Sequence, residues 1–132
     1  MKKIPSWKFG DTKEETDNII KLVIKGKKTA TSSLYESYQR KKIPLPKIGD
    51  KNFIQDSNEV ERCLIVTSKV KIKPFNKITK AFAKKEGEGD SSLTYWRKLH
   101  KKFFKERLKK QNMKWNNNTL IVCEEFKILK II

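Results

Sequence analysis

Two short stretches of this sequence hold residues able to do chemistry. In "GKKTATSS", residues 26–33, Lys27 and Lys28 stand beside Thr29 and Thr31, whose side chains share one strand face by the period of two. An ammonium next to a hydroxyl serves as a phosphate clamp or as an activated nucleophile. In "KKEGEGD", residues 84–90, Glu86, Glu88 and Asp90 alternate with Gly87 and Gly89 inside a chain of net charge +17. A Ca²⁺ loop is disfavoured there, because the longer spacing and bidentate Glu of an EF-hand are missing. A structural reading makes Asp90 or Ser91 the N-cap of the next helix, with Glu86 and Glu88 near its positive end. A chemical reading makes a Glu on a glycine loop, facing a lysine, a general acid or base.

A third feature follows directly. Between Arg97 and Lys110 eight basic residues stand against Glu106 alone. At helical periodicity they occupy the side opposite Trp96 and Phe103, forming a basic rod able to follow a phosphate backbone. The competing reading is a solvated lysine surface, since only Arg40, Arg62, Arg97 and Arg107 among the 32 basic residues are arginine. The Walker-type phosphate loop is excluded, because the glycine it needs five residues before Gly26 is Lys21. His100 reads as a packed helix residue outside the site.

These groups need elements to hold them. "DTKEETDNIIKLVIKGKK" predicts a helix capped by Thr12 with Glu15, ending near Lys25 with Gly26 at C′. A short helix is expected from Ser32 or Ser33. Pro44 and Pro46 exclude helix, and the Gly49-Asp50 turn leads into a strand over Phe53–Asp56. "ERCLIVTSKVKIKPF" alternates as a half-buried strand that Pro74 stops. Next comes a short helix capped by Asn76, then a long one with Leu93, Trp96, Leu99, His100, Phe103 and Leu108 near one stripe. "WNNNT" reads as a turn, and "TLIVCEEFKILKII" as one strand or two with a bulge. Helices at both ends of a strand-rich middle make an α+β fold, a small curved sheet or partial barrel with helices packed on it.

The 132 residues suit one domain, residues 1–132, with seven Phe, three Trp and three Tyr to fill its core. No apolar run approaches the roughly 20 residues that span a bilayer. The start "MKKIPSWKFGD" lacks an apolar leader, so a cytoplasmic protein is expected, without a membrane partner. Cys63 and Cys123 lie in strand-like runs with no C-x-x-C pair, which predicts buried, reduced thiols and neither zinc nor redox chemistry.

Six segments together, "SWKFGD", "GKKTATSS", "PLPKIGD", "KPFNKIT", "FAKKEGEGDSSLTYWRKLHKKFF" and "VCEEF", resemble the ASCH-domain proteins in the same order and across nearly the whole chain. The resemblance implies a PUA-like fold, a small β-barrel with flanking helices, and a cleft associated with RNA or a modified nucleoside, needing no metal or cofactor. It implies three activities. The first is a metal-independent ribonuclease in which Lys28 works with Tyr35 or Tyr38 on the 2′-hydroxyl. The second is an amidohydrolase removing acetyl from N4-acetylcytidine, with roles falling on Lys28, Thr31 and Glu86; the family's shorter branch lacks the G-E-G-D insertion found here, so Glu88 competes with Glu86 for that role. The third is a non-catalytic RNA-binding module, in which Lys27, Lys28 and Arg97 hold phosphate, Trp7, Tyr95 or Trp96 offers a stacking face, and Glu86 reads a base edge. Thr29, Ser32, Tyr35 and Glu88 complete the expected ligand-binding set. The oligomeric state does not follow from these motifs.

Overall fold

The structure, a computed structural model, describes residues 3–132; Met1 and Lys2, where the expected leader-free start begins, lie outside them. Thr12 caps helix α1 (Lys13–Ile24) by accepting from Glu15 N at 3.1 Å, and Glu15 Oε2 reaches back to Asp11 N at 3.1 Å. Both ends of the segment are thus satisfied as the sequence predicts, with Lys25 closing the helix and Gly26 in the left-handed region at φ +76°. The apolar face of α1, Ile20 and Val23, packs on Phe9, Ile54, Cys63, Ile65 and Phe126.

Strand β2 (Ala30–Leu34) follows and passes into α2 (Tyr35–Lys41). Ser32 and Ser33, expected to open a helix, are strand residues, paired with Cys123 and Val122 of β5 (Leu120–Ile131). The ladder to a distant strand overrides the weak local preference of two serines, and their hydroxyls are taken up by Glu86 and Tyr38. Strand β3 (Lys51–Gln55) ends one residue earlier than expected, because Asp56 turns to accept from Asn58 N and Val60 N. β3 pairs antiparallel with β4 (Glu61–Pro74), and β1 (Ser6–Trp7) adds to β3 in parallel.

The sheet order is β1-β3-β4-β5-β2. Its edges β1 and β2 are not paired to each other, so the sheet is open where a small barrel was expected. β1 supplies only two residues to its ladder, too few to carry the pairing round to β2. The β4–β5 ladder slips register twice, between Leu64 and Ile65 and between Thr67 and Lys69.

After β4 the chain makes a 3-10 turn, Phe75–Lys77, then α3 (Lys80–Glu86) and α4 (Leu93–Lys109). Two caps fall later than the sequence suggests. Asn76 lies in the 3-10 turn, and Thr79 caps α3 by accepting from Phe82 N at 3.1 Å. Ser92 caps α4 by accepting from Tyr95 N at 3.0 Å. Ser91 is at φ +63°, which an N-cap does not adopt, and Asp90 supports the turn by accepting from Ser92 N at 2.9 Å. The buried stripe of α4 is also rotated from expectation. Trp96, His100, Phe104 and Leu108 face inward as one i,i+4 row, leaving Leu99 and Phe103 40% and 37% exposed. Trp96 stacks on Phe75 at 5.3 Å, and this contact fixes the rotation of the helix. Cys63 and Cys123 are buried and unpaired with each other. Among the described residues no helix is long and apolar enough to cross a membrane.

Candidate functional site

The loop between α1 and β2 and the end of α3 meet at one buried point. Gly87, the residue after α3, is at φ +68°, and a Cβ there would collide with the carbonyl oxygen of Lys27. Gly89, at φ +59°, leaves room for the Tyr95 ring. The glycines of the acidic loop therefore allow close approach and left-handed backbone, not looseness. The Thr29 amide donates to Lys85 O at 2.7 Å and the Phe126 amide to Thr29 O at 2.9 Å, tying β2, α3 and β5 together.

This fastening brings Lys28 to Glu86. The Lys28 Nζ donates to Glu86 Oε1 at 2.8 Å, lies 3.7 Å from Glu88 Oε1 and sits 5.6 Å from the Phe9 ring centre. Both partners of the main pair are 2% exposed. The other oxygen, Glu86 Oε2, accepts from Ser32 Oγ and from Trp96 Nε1, both at 2.6 Å, with His100 Nε2 3.4 Å away. His100 Nδ1 is 2.9 Å from Trp96 O, and the imidazole stacks on the indole at 4.3 Å. The Nδ1 side of the ring is thus held by the backbone of its own helix, and the Nε2 side faces the Glu86 carboxylate.

Burial by itself pushes the Glu86 carboxyl up. The Lys28 ammonium, His100 and the hydrogen bonds from Lys28 and Ser32 more than offset it, so the carboxyl is held below its ordinary value. Glu86, Glu88 and His100 offer three ligand atoms within 4.8 Å of one another. A divalent ion there would compete with Lys28, which already supplies the positive charge between the two carboxylates.

Of the residues singled out from sequence, Lys28, Glu86, Ser32 and Glu88 come together. Thr31 does not join them. It faces the other side of β2, across from Glu124 of β5. Glu124 accepts from Thr67 Oγ1 at 2.6 Å. Burial pushes its carboxyl up, and nearby Asp50 adds to the effect. On the same side Ser33 Oγ meets the Tyr38 hydroxyl at 2.9 Å, and burial raises that phenol.

The remaining residues are dispersed. Trp7 donates its indole N–H to Asn52 at 2.8 Å and packs edge-on to Phe9 at 4.7 Å, in the core under α1. Tyr35 is half-buried at the start of α2, Tyr95 lies over Gly89, and Lys27 and Arg97 are exposed. His100 is the residue sequence reasoning set aside and the geometry brings in. Its spacing of four from Trp96 on a helix was the available signal.

A cavity of about 290 Å³ opens beside Ser32, lined also by Tyr38, Lys41, Phe103 and Arg107. The Arg107 guanidinium lies 4.6 Å over the Phe103 ring and 2.9 Å from Asp11.

The profile of the ASCH domain matches residues 5–130. In fold, the chain is similar to an ASCH domain from Lactobacillus crispatus, with TM-score 0.89 and 27% identity over 93% of this chain and 78% of that one. It is similar also to a protein from Enterococcus faecalis, with TM-score 0.88 and 35% identity over 96% of this chain and 77% of that one. No curated protein sequence matches the chain.

Proposed function

This chain belongs to the ASCH-domain family, and on that premise we propose that it binds single-stranded RNA through the outer face of α4 and the cavity beside Ser32. The observation that carries the reading is the disposition of charge on α4. All eight basic residues from Arg97 to Lys110 are exposed, and the helix is anchored by the opposite row from Trp96 to Leu108. So dense a cationic face stabilises a polyanion by releasing its counterions. Phe103, exposed and overlaid by Arg107, offers a stacking surface at the cavity mouth, where Lys41 adds charge and Ser37 and Tyr38 add hydroxyls. The test is fluorescence anisotropy with a mixed-sequence RNA strand over a salt series. Each neutralised phosphate contributes about −0.7 to the slope of log affinity. Lys98→Gln/Lys101→Gln/Lys105→Gln should flatten that slope by about 2; an affinity indifferent to salt rejects the reading.

The Lys28–Glu86 contact favours a second reading, a metal-independent hydrolase acting on RNA or on N4-acetylcytidine. In the amidohydrolase form, the Thr31 hydroxyl attacks the acetyl carbonyl, the bond to N4 breaks, and cytidine leaves as the amine with the proton lost by Thr31; water then cleaves the acetyl ester, releasing acetate and restoring the hydroxyl. Glu86, saturated with donors and held ionised, suits fixing Lys28 better than delivering a proton. Ser32 is the hydroxyl bonded to the pair, so Thr31→Val and Ser32→Ala separate the two candidates. Mass spectrometry of N4-acetylcytidine and of RNA after incubation reads both. Turnover abolished by Thr31→Val alone supports the Thr31 scheme, and no turnover by the native protein removes it.

A further inference from the structure

The register slip after Thr67 changes which face the second half of β4 presents. Thr67 pairs with Phe126 and Lys69 with Glu125, so Ser68 is the extra residue of a bulge. Before it, Cys63 and Ile65 point into the core under α1. An unbroken period of two would have carried Lys69, Lys71 and Lys73 toward that same side. The bulge turns them to the opposite face, where they lie across from Glu125, Cys123 and Ile121 and beside α3.

There the three lysines form one wall of a groove of about 140 Å³, with Thr79, Phe82 and Lys85 on the other and Cys123 at its base. Lys85 is neutralised by Glu125 at 2.7 Å. Among the described residues, none of the three β4 lysines has an ion-pair partner. Their Cα atoms recur about every 7 Å along the strand, which sets three like charges in a row. Glu125 stands at the Lys69 end, leaving Lys71 and Lys73 beside the apolar side chains of Cys123 and Phe82.

We propose that this groove is a second RNA site, holding the sugar–phosphate backbone of a single strand on Lys69, Lys71 and Lys73. It rests on the RNA-binding reading above and adds a binding path separate from α4. A flexible strand can place successive phosphates along a row of point charges, and the Thr79 hydroxyl is available to a phosphate or sugar oxygen. The concave form fits a strand better than a bilayer surface, which needs the charges on a flat or convex face.

The experiment compares the native chain with Lys69→Gln/Lys71→Gln/Lys73→Gln and with Lys98→Gln/Lys101→Gln/Lys105→Gln, which removes equal charge from α4. Anisotropy against a mixed-sequence RNA strand is measured over a salt series, and photo-crosslinked peptides are mapped by mass spectrometry. The expected result is a slope reduced by about 2 in the β4 variant, with a native crosslink between residues 69 and 73 that this variant loses. Native binding with no change in slope and no β4 crosslink overturns the groove while leaving α4 standing. Equal losses in both variants without a β4 crosslink assign the effect to net charge and also overturn it. Absence of native binding at any salt removes the RNA reading and this site with it. Binding of the native chain, but not the β4 variant, to phosphatidylserine vesicles with no RNA crosslink would make the groove a membrane contact instead.

Discussion

Two carboxylates, Glu86 and Glu124, are drawn into this fold on opposite faces of the same strand pair, and the protein treats them in opposite ways. Glu86 is met by Lys28, Ser32 and Trp96, with His100 close by, and its carboxyl is held below the ordinary value. Glu124 has one hydrogen-bond donor, Thr67, and the negative charge of Asp50 nearby, and its carboxyl is pushed up. Burial acts in the same direction on both. The number and charge of the donors decide the sign. One carboxylate is consequently a fixed anion around which four elements assemble, and the other is a group whose charged form the fold disfavours, beside Thr31.

The largest test of that contrast is to remove the anion. Glu86→Leu takes the nearer carboxylate from the buried Lys28 ammonium, leaving Glu88 Oε1 at 3.7 Å, and should cost about 3–5 kcal/mol in denaturant unfolding, the usual penalty for breaking a buried pair. Lys28→Met/Glu86→Leu should recover most of that loss. A double variant no better than the single one would show that the pair's charges are not what holds the site. Next in size, Trp96→Phe removes one of the donors to Glu86 Oε2 and should cost about 1–3 kcal/mol, read from the same unfolding midpoint.

The pH dependence sharpens the comparison because the two groups have opposite signs. Glu86, held below its ordinary 4.5, contributes stability fully present above that pH and lost as pH falls through the lower native value. Glu124, held above 4.5, contributes stability fully present below that pH and lost as pH rises through the higher native value. Each unit of displacement corresponds to about 1.4 kcal/mol. Unfolding free energy measured against pH should therefore lose its acid-side fall in Lys28→Met/Glu86→Leu and its rise-side loss in Glu124→Gln. The smallest expected effect is that of Glu124→Gln at neutral pH, neutral or stabilising by up to about 1 kcal/mol, because an amide tolerates the site without a charge. Destabilisation well beyond that would mean that the fold favours the charged form of Glu124 over the neutral one, against the upward direction.

Much of the frame could be read from sequence where the signal is local. Thr12, Glu15 and Gly26 bound α1, Gly49-Asp50 makes its turn, and β4 is the strand its alternation predicts, although the bulge at Ser68 changes its phase. The failures share a cause. Ser32 and Ser33 are strand because β5 pairs with them, and the rotation of α4 is set by Trp96 stacking on Phe75; neither partner is near in the chain. The caps of α3 and α4 slipped by one to three residues because several Ser, Thr, Asn and Asp compete there, and backbone dihedrals choose among them. At the site, the family motif singled out Lys28 and Glu86. It did not reveal that Trp96 and His100 complete the surroundings of the carboxylate, or that Thr31 and Ser32 separate to the two faces of β2.

The Lys28–Glu86 contact joins residues 58 apart in the chain. A loop of that length must close before either charge gains its partner, and until then each is better left in water. We expect the pair to form late in folding, after α3 has docked on β2 and β5, and to act as a latch on the finished structure more than as a nucleus. Loss of the pair should then shorten the lifetime of the native state while leaving the refolding rate nearly unchanged, so that only the unfolding arm of a chevron plot moves.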